Sequence, residues 1–260
     1  MHRFFVDPGQ LAADRVPLSG EVLHHLAKVL RMRPGDELEL LDGAGQICRC
    51  RVLALGRHQG EAQVLARRRV TERPFPVQLL QALPKGDKFD LVLQKGTELG
   101  ITRFVPVLAG RSVPQPGPSR EENRLLRWRK IVREAARQCR RPLIPEVAPL
   151  VPLASALAAV GDSLRLLLWE EESRPLADLL GTLRPSAVTI LVGPEGGFSV
   201  AEVELAVAAG FVPVKVGPRI LRSETAGFAV AAILQYVFGD LGVSGPGEES
   251  RAMNAGGEPL

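Results

Sequence analysis

An apolar run, Ala187-Val188-Thr189-Ile190-Leu191-Val192, stops at Gly193-Pro194-Glu195-Gly196-Gly197-Phe198-Ser199. This junction restricts the possible folds more than any other stretch. The run reads as a buried strand. Ser199, with Glu202 three residues on, has the pattern of a capping box that opens a helix. A glycine-rich elbow between a strand and a helix N-terminus brings backbone N–H groups up to a ligand without side-chain interference. It is neither Gly-x-Gly-x-x-Gly nor a Walker A loop, because the Lys-Ser/Thr is missing. Taken alone, it is equally well a tight turn between core elements. A second unit follows: Val212–Gly217 as a strand, Pro218–Arg222 as a loop, and a helix capped by Ser223 that runs to about Phe238. Glu224 falls in its first turn, where a carboxylate suits the helix dipole. Two such strand ends place their loops on one edge of a parallel sheet, where α/β folds bind ligands.

The rest of the chain surrounds this pair. Residues 1–70 carry short strand signals, including Glu37–Leu41, the turn Asp42–Gly45, a partner strand Gln46–Leu55, and Glu61–Ala66. One amphipathic helix is expected over Gly20–Arg31, with Leu23, Leu26, Ala27 and Leu30 on one side and His24, His25, Lys28 and Arg31 on the other. Short strands with one helix predict a small β-barrel. The basic, proline-interrupted stretch Arg67–Pro74 marks a boundary. From Val77 onward strands and helices alternate, which predicts α/β architecture over 74–240. Val77–Leu83, Phe104–Leu108 and Leu164–Trp169 read as strands, and Asp87–Leu99, Arg120–Cys139 and Arg174–Leu183 as helices. Gly110–Ser119 is a Pro/Gly-rich loop, and the Gly-, Ser- and Glu-rich residues 241–260 read as a disordered tail.

Charge adds a partner. Of 33 cationic residues only six are Lys, and Arg forks onto phosphates and stacks on bases. Between residues 120 and 141 nine basic residues face three acidic ones, with Arg129, Arg133, Arg137 and Arg141 every four residues. Cations without enough i,i+4 partners predict a phosphate-binding surface rather than a solvated face. The three cysteines, with no Cys-x-x-Cys and no histidine at ligand spacing, point to a reducing cytoplasm and to no metal site. The N-terminus lacks a long apolar signal segment, and no apolar run reaches membrane-spanning length.

Gly193-Pro194-Glu195-Gly196-Gly197-Phe198-Ser199 followed by Leu221-Arg222-Ser223-Glu224-Thr225-Ala226 resembles the SPOUT class of RNA methyltransferases. Further stretches narrow the resemblance to the RsmE family: His24-His25-Leu26 through Arg31 with Pro34-Gly35-Asp36, Lys85-Gly86-Asp87-Lys88, Gln94–Gly100, Gly110-Arg111-Ser112 and Glu134–Arg141. The similarity covers roughly residues 1–240. Ser223 and Cys139 stand where the family pattern has Thr and Ser.

The resemblance implies a C-terminal trefoil-knotted parallel sheet, an N-terminal PUA-like RNA-binding barrel and a homodimer. It also implies S-adenosylmethionine-dependent methylation of N3 of a uridine in 16S rRNA of the 30S subunit. The cofactor is then expected among three loops: Leu168, Trp169 and Glu170; Leu191, Val192, Gly193, Pro194, Glu195, Gly196 and Gly197; and Val216, Gly217, Ile220 and Leu221 onward through Arg222 to Thr225 and Ala226. Leu191, Ile220 and Leu221 flank the adenine in this reading, and the glycines allow close backbone approach. Uridine N3 is a weakly acidic imide, so a cation near O2 or O4 stabilises the developing anion. Arg222 is the first candidate. Glu224 either orients Arg222 or serves the helix start. Substrate RNA is expected at His24, Lys28, Arg31, Lys85, Lys95, Arg133, Arg137, Gln138, Arg140 and Arg141, with Glu98 beside Lys95. No general base is evident from the sequence. Three rival readings are a SPOUT enzyme acting on a ribose 2′-OH, a non-catalytic ribosome-assembly factor and a nucleotide-dependent oxidoreductase. The N-terminal barrel, the intact paired motifs and the missing dinucleotide fingerprint argue against them in turn.

Overall fold

The structure, a computed structural model, describes residues 1–70, 74–112, 118–171 and 173–242. The expected tail and the centre of the 110–119 loop lie outside the described residues. The N-terminal part contains strands β1 (His2–Phe5) and β2 (Arg15–Leu18), helix α1 (Gly20–His24), and strands β3 (Glu37–Leu41), β4 (Gln46–Leu55) and β5 (Gly60–Arg69). They form a sheet in the order β1-β3-β4-β5-β2, antiparallel except for the β1–β3 pair. Register shifts in β4 at Arg49/Cys50 and Val52/Ala54 bend the long β4–β5 ribbon. Cys48 and Cys50 both point into the core of this sheet with Leu38, Leu40 and Leu26.

The helix expected over Gly20–Arg31 is α-helical only to His24. It continues as a π-helical turn over His25–Val29, and Arg31 sits at φ 52°. The extra residue in that turn moves His25 off the solvated face, and its ring meets Phe4 edge-on at 5.3 Å. The basic boundary stretch is also committed internally. Arg67 binds the carbonyls of Leu11 and Ala13 and the Asp14 carboxylate, and Arg68 pairs with Glu39.

The second part runs β6 (Val77–Ala82), α2 (Lys88–Glu98), β7 (Arg103–Leu108), α3 (Pro118–Gln138), β8 (Glu146–Val147), β9 (Val151–Pro152), α4 (Leu153–Ala158), β10 (Leu164–Leu168), β11 (Arg174–Pro175), α5 (Leu176–Leu180), β12 (Val188–Val192), α6 (Val200–Ala208), β13 (Val212–Lys215) and α7 (Ser223–Phe238). Its sheet is wholly parallel in the order β11-β13-β10-β12-β6-β7-β8, with β9 also on β7. The expected helix Arg174–Leu183 is shorter, because Arg174 and Pro175 are spent on the edge strand β11.

All five residues of β12 are buried. Alternation sends Val188, Ile190 and Val192 to the side packed by α2, α3, α5 and α7, and Leu191 to the side packed by α4 and α6. Helix α7 returns from the β13 edge to lie on β6, β12 and α2. This non-sequential order with a returning final helix is the arrangement expected of the SPOUT knot. Small residues permit the return, since a Cβ on Gly227 would lie 2.9 Å from Leu79 Cδ1. Near its end Gln235 donates to the carbonyls of Phe75 and Gly100, both at 2.9 Å.

Helix α3 ties the two parts together. Lys130 pairs with Glu21 at 2.5 Å, while Arg133 lies over the Phe5 ring at 5.7 Å and Arg137 over the Phe4 ring at 5.9 Å. Ala136 packs with Phe5, Leu41 and Ile47. Much of the basic row is therefore partnered, contrary to the expectation of a free phosphate surface. Arg127 pairs with Asp87 and Asp90, and Arg137 also pairs with Glu134.

Candidate functional site

The carboxyl ends of β10, β12 and β13 and the start of α7 surround a cavity of about 870 Å³. That volume lies in the range of small-molecule sites, roughly 300–1,000 Å³. Leu168, Trp169 and Glu170 line it from β10, and Val192, Gly193, Pro194, Glu195 and Gly197 from β12. Val216, Gly217, Ile220, Leu221 and Arg222 line it after β13, and Ala226 lines it from α7. Three candidates lie elsewhere. Leu191 points into the core below the sheet. Gly196 and Thr225 are not at the cavity wall, and the Gly196 carbonyl accepts from Arg111 at 2.6 Å. Ile220 is 78% exposed and stands at the mouth of the cavity rather than inside it.

The glycine loop is held from several directions. Ser199 Oγ accepts from the Glu202 amide, and the Glu202 carboxylate accepts from Ser199 N and Oγ. The capping box expected from sequence is therefore present. The other Glu202 oxygen accepts from Gly110 N at 2.7 Å. Burial alone raises this carboxyl, but the donors from Gly110 and Ser199 outweigh it and hold the group below the usual range. On the other side, the Glu195 carboxylate accepts from Lys85 N and from Lys88 Nζ at 2.8 Å. Glu195 behaves as Glu202 does: burial opposes its charge, and Lys88 and the backbone donors prevail. Gly197, at φ +66°, closes the turn with its amide on the Pro194 carbonyl.

Ser223 differs from its expected role. The N-cap position of α7 is Arg222, no side chain caps this helix, and Ser223 is its first residue. Its hydroxyl donates to the Gly193 carbonyl at 2.5 Å and accepts from Gln81 Nε2 at 3.0 Å. One side chain thus joins both motif loops to β6. Next to it Glu224 is 8% exposed, and its Oε2 has no hydrogen-bond partner. Lys88 Nζ lies 3.5 Å from Glu224 Oε2, and Arg222 Nη1 lies 3.9 Å from Oε1. Lys88, absent from the expected site, lines the same cavity. Its Lys-Gly-Asp-Lys stretch was legible, but its partners are 107 and 136 residues away in sequence. The Glu195 contact, then the Glu224 carboxylate, hold the Lys88 ammonium above its ordinary pKa.

The candidate RNA residues divide into two sets. His24, Lys28, Arg31, Lys85, Gln138 and Arg140 are exposed. Lys95 pairs with Glu98 at 2.9 Å, and Arg133 and Arg137 stack on the N-terminal sheet. Arg141 donates to the carbonyls of Thr97 and Ile101, and burial pushes its guanidinium down. These two bonds fix the turn after α2. Among the described residues no group of three or more His, Cys, Asp or Glu could hold a metal, and no helix is long and apolar enough to cross a membrane.

A family model described as an RNA methyltransferase domain matches residues 71–235, and one described as an RNA methyltransferase PUA domain matches residues 18–65. Ribosomal RNA small subunit methyltransferase E of Synechocystis sp. is 38% identical over 230 residues, covering 86% of this chain and 74% of that protein. The enzyme of the same name from Bacillus subtilis is 31% identical over 247 residues, covering 91% and 96%. The crystal structure of ribosomal RNA small subunit methyltransferase E from Neisseria gonorrhoeae bound to S-adenosyl methionine superposes with a TM-score of 0.83 at 33% identity, over 93% of this chain and 99% of that one.

Proposed function

Since the chain belongs to the family of ribosomal RNA small subunit methyltransferase E, we propose that it transfers a methyl group from S-adenosylmethionine to N3 of a uridine in 16S rRNA. The observation that carries this reading is the cavity at the carboxyl edge of the parallel sheet, walled by the two motif loops. The residues present suit the cofactor. Gly217, at φ +69° with nothing within 4 Å of a Cβ position, leaves the backbone open to a planar group. Leu168, Val192 and Leu221 supply apolar wall, and Glu195 supplies negative charge beside it.

When bound, the cofactor supplies an electrophilic methyl and needs no metal. The protein's part is to hold the acceptor in line and to stabilise its charge. Arg222, 81% exposed at the cavity rim, is free to swing its guanidinium onto a uracil carbonyl as the imide loses its proton. The base must be unpaired or flipped to enter, because N3 lies on its pairing edge. We assign residues 1–70 to RNA binding, with His24, Lys28 and Arg31 on its exposed face, and residues 74–240 to transfer. Exposed Tyr236, Val237 and Leu241 on and after α7 support a homodimer. The site of action is the cytoplasm, on the 30S subunit.

The test is methyl transfer from labelled S-adenosylmethionine to 30S subunits that lack the modification, with the product nucleoside identified by mass spectrometry. N3-methyluridine is expected. A 2′-O-methyl product, or cofactor binding without product, overturns the proposal.

A further inference from the structure

Uracil presents a fixed pattern on its pairing edge: an acceptor at O4, a donor at N3–H and an acceptor at O2. The cavity presents the complement. Glu224, an acceptor, is flanked by two donors from different elements, Lys88 Nζ at 3.5 Å and Arg222 Nη1 at 3.9 Å. Glu224 is 8% exposed and its Oε2 has no hydrogen-bond partner, a costly condition for a carboxylate. The contact of that oxygen is the long ion pair with Lys88 Nζ at 3.5 Å. Glu224 does not cap α7, and the short hydrogen bond of Lys88 goes to Glu195 at 2.8 Å. Among the described residues the cations within 4 Å of this carboxylate are Lys88 and Arg222, and the neighbouring Glu195 is held by Lys88 and the Lys85 amide.

We propose that Glu224 is the general base that removes the N3 proton, and that Lys88 and Arg222 on either side of it select uracil and hold its anion. This rests on the uridine N3 reading above. The N3–H bond breaks, an O–H bond forms on Glu224, and N3 keeps the electron pair. That pair then forms the N3–C bond to the methyl group while the sulfonium sulfur keeps the pair of the broken S–C bond. The proton and the methyl approach N3 along the same in-plane direction, so deprotonation comes first. The two cations then retain the anion through O2 and O4 while N3 turns from the carboxyl to the methyl. Cytosine offers a donor amine and an unprotonated N3, which leaves Lys88 facing an amine and Glu224 facing a lone pair. A site built around buried polar groups rejects such a mismatch strongly.

The test uses the full-length protein with Glu224→Gln, which keeps volume and helix. S-adenosylmethionine binding by calorimetry should stay within about twofold of wild type. Single-turnover methylation of 30S subunits should fall by roughly 10²–10⁴, the usual contribution of general base catalysis. The residual rate should climb with pH, because free imide anion replaces the base. It should also recover on 30S subunits carrying the more acidic 5-fluorouridine. Independently of turnover, the wild type should bind an rRNA fragment with the target uridine about tenfold tighter than the cytidine version. The amide of Glu224→Gln, able to donate to cytosine N3, should erase that preference. A rate within threefold of wild type, or a loss indifferent to pH and to 5-fluorouridine, overturns the inference and leaves methylation intact. Absence of N3-methyluridine from the wild type overturns the functional reading instead. Should Glu224→Gln fail to fold or to bind the cofactor, Lys88→Gln decides. It should lose at least tenfold in rate and most of the uridine preference, and an unchanged rate and preference overturns the inference.

Discussion

Replacing Ser223 by Ala removes one oxygen and unlinks three segments. Two hydrogen bonds disappear, to the Gly193 carbonyl at 2.5 Å and from Gln81 Nε2 at 3.0 Å. The Gly193 backbone is half-exposed, so its carbonyl regains some water and that loss falls at the low end, about 0.5–1.5 kcal/mol. Gln81 is 1% exposed and cannot rehydrate, although its amide keeps a bond to the Ala82 carbonyl. Its share is about 1–2 kcal/mol, and the sum is about 1.5–3.5 kcal/mol. At roughly 2–4 °C per kcal/mol for a domain of this size, Tm should fall by about 5–10 °C. Both tryptophans, Trp128 and Trp169, lie in the transferase part, and Trp169 lines the cavity, so fluorescence melts report on this domain. The same variant should bind S-adenosylmethionine several-fold more weakly, because the Gly193 loop is no longer preorganised. Ser223→Thr should restore both quantities. A Tm within 1–2 °C of wild type, or a loss that Thr does not repair, refutes the claim that this hydroxyl joins the two motif loops.

Three further outcomes follow from the contacts. The carboxyl of Glu195 is depressed, so its contribution is full above the ordinary carboxylate pKa and is lost as pH falls through the lower folded value. The difference in cofactor affinity between wild type and Glu195→Gln should therefore be constant near neutrality and vanish in acid. Burial, then Cys48, pushes the Cys50 thiol up to about 12, so alkylation of the native protein at pH 8 should label Cys139 and spare Cys48 and Cys50 until denaturant is added. Arg141→Ala should cost about 2–4 kcal/mol by stripping the Thr97 and Ile101 carbonyls of their donor, while leaving the salt dependence of RNA binding unchanged. A flattened salt slope would return Arg141 to the phosphate surface.

The sequence made the repeating strand–loop–helix units legible because each is local. The apolar run, the Gly-Pro stop and the Ser199/Glu202 box sit within sixteen residues and act on one another. The two-residue strands β8, β9 and β11 carry no period and were invisible. The π turn at His25–Val29 was equally hidden, since one inserted residue leaves composition unchanged while rotating His25 inward. Charge was the poorest guide. The nine cations between residues 120 and 141 looked unpartnered because Asp87, Asp90, Glu21, Phe4 and Phe5, which engage Arg127, Lys130, Arg133 and Arg137, are supplied by other elements. Ser223 was read as a helix cap, and Lys88 only as part of a family stretch, for the same reason. Gln81 lies 142 residues from Ser223, and Glu195 lies 107 residues from Lys88.

The return of α7 onto β6 sets a schedule for making the protein. Phe75 and Gln235, joined at 2.9 Å, are separated by 160 residues. At a synthesis rate of about 5–20 residues per second, the ribosome needs roughly 8–32 s to deliver the second after the first. Throughout that interval the face of β6 that α7 will cover stays bare, and the cavity lacks its Ser223–Ala226 wall. A nascent chain therefore has no closed cavity until α7 has been translated.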